Sequence, residues 1–214
     1  MAEFLNTAFY GLDKAMFLFV NSMAKVGGAF FTPLLEFITF FGDKGWFFIA
    51  LGVCLLLFLR HRKAGVCILI AIIFGGLFTN VILKNLVQRP RPYTVEEFKI
   101  LWEAVGASKE SEFSFPSGHT TSAFACAMAY FLTKNKRYSW AMFIFAGLVA
   151  FSRIYLVVHY TTDIFGGIIS GSLAGVVAYF ITKFIYKIID SHSQNKFCSF
   201  VNSFDLIDCI KKKK

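Results

Sequence analysis

The chain has 214 residues, of which 57% are hydrophobic and 16% charged. Soluble domains run about 45–50% apolar and about 25% charged, so a soluble globule, a disordered chain and a disulfide scaffold are poor descriptions and an integral membrane protein fits. The formal charge is +9, but the basic residues cluster between apolar runs, which membrane topology explains more simply than nucleic acid as a partner.

Residues 1–23 place Phe4, Leu5, Phe9, Leu12, Met16, Phe19 and Val20 at helical spacing among Glu3, Asp13 and Lys14, the pattern of an amphipathic helix at an interface. Its start lacks the form of a cleavable signal peptide, so the first spans are expected to be uncleaved anchors. Residues 26–41 carry Pro33 and Glu36 in an apolar run, and fit either a sixth span or a half-buried helix. A membrane helix needs about 20 mostly apolar residues, and five further stretches qualify: 45–59, 64–83, 117–133, 138–158 and 164–182. The reading is an all-α membrane bundle of about six helices. Between the second and third of those stretches, residues 94–104 predict a short surface helix, followed by a polar stretch over 108–114. Residues 1–190 then form one domain, with 1–42 as interfacial helix or first span, and 191–214 a basic cytoplasmic tail. The tail alternates Phe197, Phe200, Val201, Phe204, Leu206, Ile207 and Ile210 with polar residues and ends in Lys211–Lys214, which suits a helix drawn to anionic lipid. The five cysteines show no CxxC pair, so neither a zinc site nor a disulfide framework is expected.

Alternating the helices puts the clusters at Arg60, Arg62 and Lys63, at Lys134, Lys136 and Arg137, and at Lys183 and Lys187 on one side. The positive-inside rule makes that side cytoplasmic. The outer side then holds ionisable residues at span ends, which raise a functional hypothesis: Lys84, Arg91, His119, Arg153, His159 and Asp163. Three permanent cations close together repel and call for an anion among them. A phosphate ester supplies one, and the planar arginine fork matches it.

Ser117 is a natural N-cap for the helix after Pro116, and free N–H groups at a helix start bind phosphate. Gly118 allows close backbone approach, and His119 follows in the first turn, placed to give a proton to a leaving oxygen. His159 and Asp163, four apart, share a face on a helix or helical turn. A carboxylate on one ring nitrogen leaves the other nitrogen's lone pair free to attack. His61 and His192 read as ordinary surface residues, and Glu36 as either a buried polar partner or an interface residue.

Lys84-x6-Arg91-Pro92, Pro116-Ser117-Gly118-His119 and Ser152-Arg153-x5-His159-x3-Asp163 together resemble the three signature motifs of the type 2 phosphatidic acid phosphatase superfamily. The resemblance spans residues 84–163 at motif level. It implies that Lys84, Arg91 and Arg153 clamp phosphate oxygens, with Ser117 and the Gly118 N–H completing the cradle. By the same resemblance His159 is the nucleophile, Asp163 orients it, His119 is the general acid, and no metal or cofactor is needed. Arg89 is extra to the motif, with two uses open: holding a second phosphate of a diphosphate, or meeting lipid headgroups.

The expected activity is a lipid phosphatase in the cell membrane, with its site outside and its C-terminus in the cytoplasm, and with the bilayer and a lipid phosphate as partners. An outward site suits undecaprenyl diphosphate; phosphatidylglycerophosphate, phosphatidic acid and lipid A phosphates are alternatives. A protein that only binds or transports anions is a further alternative, but it has no need of His119, His159 and Asp163 together. Oligomeric state is not legible.

Overall fold

Ten α-helices run through residues 1–206, the part of the chain that the computed structural model describes; among them there is no strand. The last residues, including Ile207, Ile210 and Lys211–Lys214, lie outside the described residues, and with them half of the expected tail helix. The helices are α1 (Ala2–Ala8), α2 (Tyr10–Phe40), α3 (Trp46–Leu56), α4 (Arg62–Gly76), α5 (Lys84–Val87), α6 (Glu96–Val105), α7 (Gly118–Thr133), α8 (Lys136–Tyr155), α9 (Thr161–Ser191) and α10 (Lys196–Ser203). A π-helical stretch, Leu77–Leu83, joins α4 to α5, so helical backbone is continuous from Arg62 to Val87.

Four helical segments are long and apolar enough to cross a membrane: Tyr10–Leu56, Arg62–Thr94, Lys136–Tyr155 and Thr161–Ser191. The expected count of six is therefore not fixed. α7, with sixteen residues, rises only about 24 Å at 1.5 Å per residue, against a hydrocarbon core of about 30 Å. α2 is broken at Gly27, where φ is −139° and ψ 24°. The two N-terminal stretches of the sequence thus lie on either side of a kink within α2. Glu36 is exposed on it.

The bundle's outward faces carry exposed Ile73, Phe74, Leu77, Val81, Ile144, Ile169, Leu173, Phe180 and Phe184. Large apolar side chains concentrated this way suit lipid rather than water. The centre is built from small residues. α7 buries Ala123, Ala125, Ala127 and Ala129 against α9, α4 and α8. α9 answers with Gly167, Gly171 and Gly175, one turn apart; a Cβ on Gly171 would lie 2.4 Å from the Thr121 carbonyl oxygen. Small residues let membrane helices approach at backbone distance. Hydroxyls tie the π-helical stretch, α7 and α9: Thr79 donates to Thr121 at 3.2 Å, and the Thr121 and Ser170 hydroxyls are 3.2 Å apart.

A second core, at the end where the candidate site lies, joins Phe17, Val20 and Leu35 of α2 to Phe98 of α6 and to Tyr155, Leu156 and Tyr160. The expected surface helix is present as α6, but it docks on α2: the Phe17 and Phe98 rings are 4.8 Å apart, and Glu97 takes Lys14 at 2.6 Å. At the opposite end, Lys63, Lys183 and Lys187 line one groove and Lys134 bonds the Arg60 carbonyl. Arg62 is buried there. It donates to the Leu56 carbonyl at 2.8 Å and to the carbonyls of Val201 and Phe204, and so fastens the end of α10 to the α3–α4 turn.

Candidate active site

Ser117 caps α7 as its residue type predicts: its Oγ accepts from the Thr120 N–H at 3.4 Å and the Thr120 hydroxyl at 3.0 Å. The loop before it contains a cis peptide at Phe115–Pro116 and is anchored where the Ser117 N–H donates to the Asp163 carbonyl at 3.1 Å. The first turns of α7 and α9 are therefore held side by side. Between α8 and α9 the chain makes a tight turn through Val157, with φ at 54°, which swings His159 back towards the bundle. His159 and Asp163 meet across this turn and the start of α9, not along one continuous helix.

Asp163 is fully buried. One oxygen, Oδ2, accepts from the Tyr160 N–H at 2.9 Å, from the Ser114 hydroxyl at 2.5 Å and lies 3.3 Å from His159 Nδ1. The other, Oδ1, accepts from Arg89 at 2.7 Å. With Nδ1 donating to the carboxylate, Nε2 of His159 keeps its lone pair, and Arg91 Nη1 donates to it at 2.9 Å. The same Nη1 donates to the Val158 carbonyl at 2.9 Å. His159 is 1% exposed; burial, and then repulsion from Arg91, Arg153 and Lys84, hold its pKa well below the ordinary histidine range. The ring is thus neutral at rest, as a nucleophile requires.

A cavity of about 260 Å³ opens in front of this ring, lined by Lys84, Arg91, Gly118, His119 and His159 among others. Five of the eight predicted residues thus face one space. The other three stand behind it: Ser117 is wholly buried in its cap, Asp163 lies behind His159, and Arg153 is 4% exposed and bonded elsewhere. Arg153 donates to the Thr39 hydroxyl at 2.7 Å and to the Glu110 carboxylate, while its Nε has no partner among the described residues.

Arg89 departs from both sequence expectations. It neither faces the cavity nor meets headgroups: it is fully buried, its guanidinium 3.7 Å above the Tyr160 ring. It donates to Asp163, to Asp13 at 3.0 Å, to Thr162 at 2.6 Å and to Asn6 at 2.7 Å. Asp13, placed by its sequence neighbourhood on a surface helix, is 1% exposed and also takes the Thr161 N–H at 2.9 Å. No charge is left on Arg89 for a second phosphate.

Reading along the sequence also missed the cavity's carboxylates. Glu112 bonds Lys84 and Glu110 bonds Arg153, so the anion that three neighbouring cations demand is supplied by the chain itself. Lys84's hydrogen bond, the largest influence on Glu112, lowers its pKa. Asn80 and Thr79, brought to the wall by the π-helical stretch, and residues 42–45 also line it. Among the described residues, no three of His, Cys, Asp and Glu gather as a metal-ligand group.

The PAP2 superfamily model matches residues 64–187. A lipid A 4'-phosphatase of Porphyromonas gingivalis is 25% identical over 185 residues, covering 83% of this chain and 72% of that protein. An undecaprenyl-diphosphatase of Bacillus subtilis is 28% identical over 159 residues, 73% of this chain and 78% of that one. The crystal structure of a transmembrane PAP2-type phosphatidylglycerolphosphate phosphatase from Bacillus subtilis, 25% identical, superimposes with a TM-score of 0.62 over 88% of this chain and 91% of that chain.

Proposed function

The chain belongs to the PAP2 superfamily and is a multi-pass membrane phosphatase acting on lipid phosphates; from that premise we propose that it removes the terminal phosphate of undecaprenyl diphosphate at the outer leaflet, through a phosphohistidine on His159. The observation that carries the mechanism is the orientation of His159: Nδ1 on Asp163, and Nε2 at the cavity with Arg91 donating to it.

When a phosphate takes the Arg91 fork, Nε2 is released to attack phosphorus. The Nε2–P bond forms as the P–O bond to the lipid phosphate breaks, and His119 gives its proton to the leaving oxygen. Lys84, Arg91 and Arg153 hold the equatorial oxygens, and the Gly118 N–H at the start of α7 adds a donor where the helix is partly positive. Ser117 shapes that helix start. A water then loses a proton to His119, attacks phosphorus, and breaks the Nε2–P bond, restoring His159 and releasing inorganic phosphate. No step calls on a metal ion. Asp163 stabilises the charged ring in each half without itself taking the proton.

The choice of substrate rests on location. Basic clusters at the end of the bundle away from the cavity support a cytoplasmic placement of that end and of the C-terminus, and an outer site suits a carrier lipid left as its diphosphate. The relatives with lipid A and phosphatidylglycerolphosphate activities, at comparable identity, favour those lipids as the second reading. The deciding experiment is phosphate release in detergent with a chelator present, across undecaprenyl diphosphate, phosphatidylglycerophosphate, phosphatidic acid and lipid A. Fastest turnover of the diphosphate is expected, with His159→Ala slower by about 10⁴-fold. Unchanged turnover in that variant removes His159 as the nucleophile, and a requirement for added divalent metal removes the scheme.

A further inference from the structure

We infer that Glu110 and Glu112 are a built-in competitor for the phosphate site, occupying its cations at rest and leaving when phosphate enters, so that they set how tightly any phosphate is held. The inference deepens the function proposed above, because it takes Lys84, Arg91 and Arg153 as the phosphate's partners.

Three acceptor groups on two residues of a single segment cover all three cations. The Glu112 carboxylate bonds Lys84, the Glu112 carbonyl accepts from Arg91 Nε at 2.8 Å, and the Glu110 carboxylate bonds Arg153. A phosphate bridging these cations needs the same donors, and the two arrangements exclude each other. The pairs are also lopsided: the Lys84 and Arg153 side chains are 6% and 4% exposed, their carboxylate partners 59% and 33%. A buried cation stripped of its anion is strongly destabilising, whereas a half-hydrated carboxylate returns to water at little cost. The cations therefore always hold an anion, and the carboxylates are the replaceable one.

The segment is tethered so that it can exchange without unravelling the site. Its far end is fixed: Ser114 donates to Asp163 and, through its N–H, to the Arg89 carbonyl at 2.8 Å. Its near end is clasped by one hydroxyl, Tyr93, which donates to the Glu110 carbonyl at 2.7 Å and accepts from the Glu110 N–H at 3.1 Å. Residues 110–112 also form part of the wall between the catalytic cavity and a neighbouring cavity of about 470 Å³. Withdrawal of that wall joins the two spaces. Affinity for phosphate is then the intrinsic affinity reduced by the fraction of molecules with the segment withdrawn, and the returning carboxylates expel the product phosphate.

The test is equilibrium binding of inorganic phosphate to the full chain in detergent, by titration calorimetry, which needs no turnover. Glu110→Gln with Glu112→Gln is expected to bind phosphate about tenfold tighter, and Glu112→Gln alone about threefold tighter. Tyr93→Phe, which changes no charge, tightens binding in the same direction by loosening the clasp. Glu103→Gln, on the exposed face of α6, leaves it unchanged and controls for overall charge. In turnover, KM falls in the double variant while kcat does not rise. Unchanged or weaker binding in the double variant overturns the competitor, as does equal tightening in Glu103→Gln. If the double variant does not fold, Glu112→Gln and Tyr93→Phe decide by the same criterion. Tighter binding by the variants of a chain without turnover leaves the competitor standing and removes the catalytic reading; turnover with unmoved binding removes the competitor alone.

Discussion

Arg89 and Arg91 are separated only by Pro90, yet they belong to two clusters of opposite character. Around Arg89 the carboxylates of Asp13 and Asp163, the Thr162 hydroxyl and the Asn6 amide take its donors, and every charged member is sealed from solvent. Around Arg91, Lys84 and Arg153 the carboxylates come from a surface segment and stay partly in water. The first cluster ties the start of α2 to the start of α9; the second holds an anion that can be exchanged. What separates structural from functional charge here is not burial of the cation, which is nearly equal, but how far its partner is hydrated.

Substitutions at the two arginines break this comparison if it is wrong. The largest expected effect is Arg89→Met, which leaves Asp13 and Asp163 buried without their counter-charge. Losing one partner of a buried pair costs about 3–5 kcal/mol, so the variant should lose most of its thermal stability, seen as a drop in melting temperature in detergent. A variant as stable as the parent with altered diphosphate selectivity would return Arg89 to the site. Next in size is Arg91→Lys. The ammonium cannot serve the Glu112 carbonyl, the Val158 carbonyl and a phosphate as the guanidinium fork does. A fall of about a hundredfold in kcat/KM with melting temperature nearly unchanged is expected, and equal losses in stability would erase the distinction. The smallest effect sharpens it: because burial lowers the His159 pKa, its ring stays neutral as pH falls through histidine's usual value of about 6.5. Carbon-labelled histidine spectra recorded as pH falls to about 6 should show the His159 ring still neutral; a protonated ring there breaks the comparison.

The difference between the clusters also explains what the sequence could show. Lys84, Arg91, His119, His159 and Asp163 were legible because each lies at a span end at fixed spacing from the next, where a charge is costly and demands a reason. Asp13 and Arg89 were not, because they meet across seventy-six positions, and nothing in an amphipathic stretch marks which polar residue turns inward. Glu110 and Glu112 sit in a polar loop without periodicity, so their meeting with Arg153 and Lys84 is purely tertiary. Both α7 and α9 were expected as helices, but nothing along the chain says that the face of Gly167, Gly171 and Gly175 is where they meet. The span count is left open for a plainer reason, since α2 is kinked at Gly27 and α7 stops at sixteen residues.

Asp163 carries one more consequence. The same oxygen that steers His159 also takes the free Tyr160 N–H at the head of α9, a helix of thirty-one residues. The His159 imidazole is thus aligned by the bond that starts the longest rod in its half of the chain, and the bilayer that holds the rod also holds the imidazole's aim. Changes in lipid thickness that tilt α9 would be felt as changes in reactivity, without any residue of the pocket being touched.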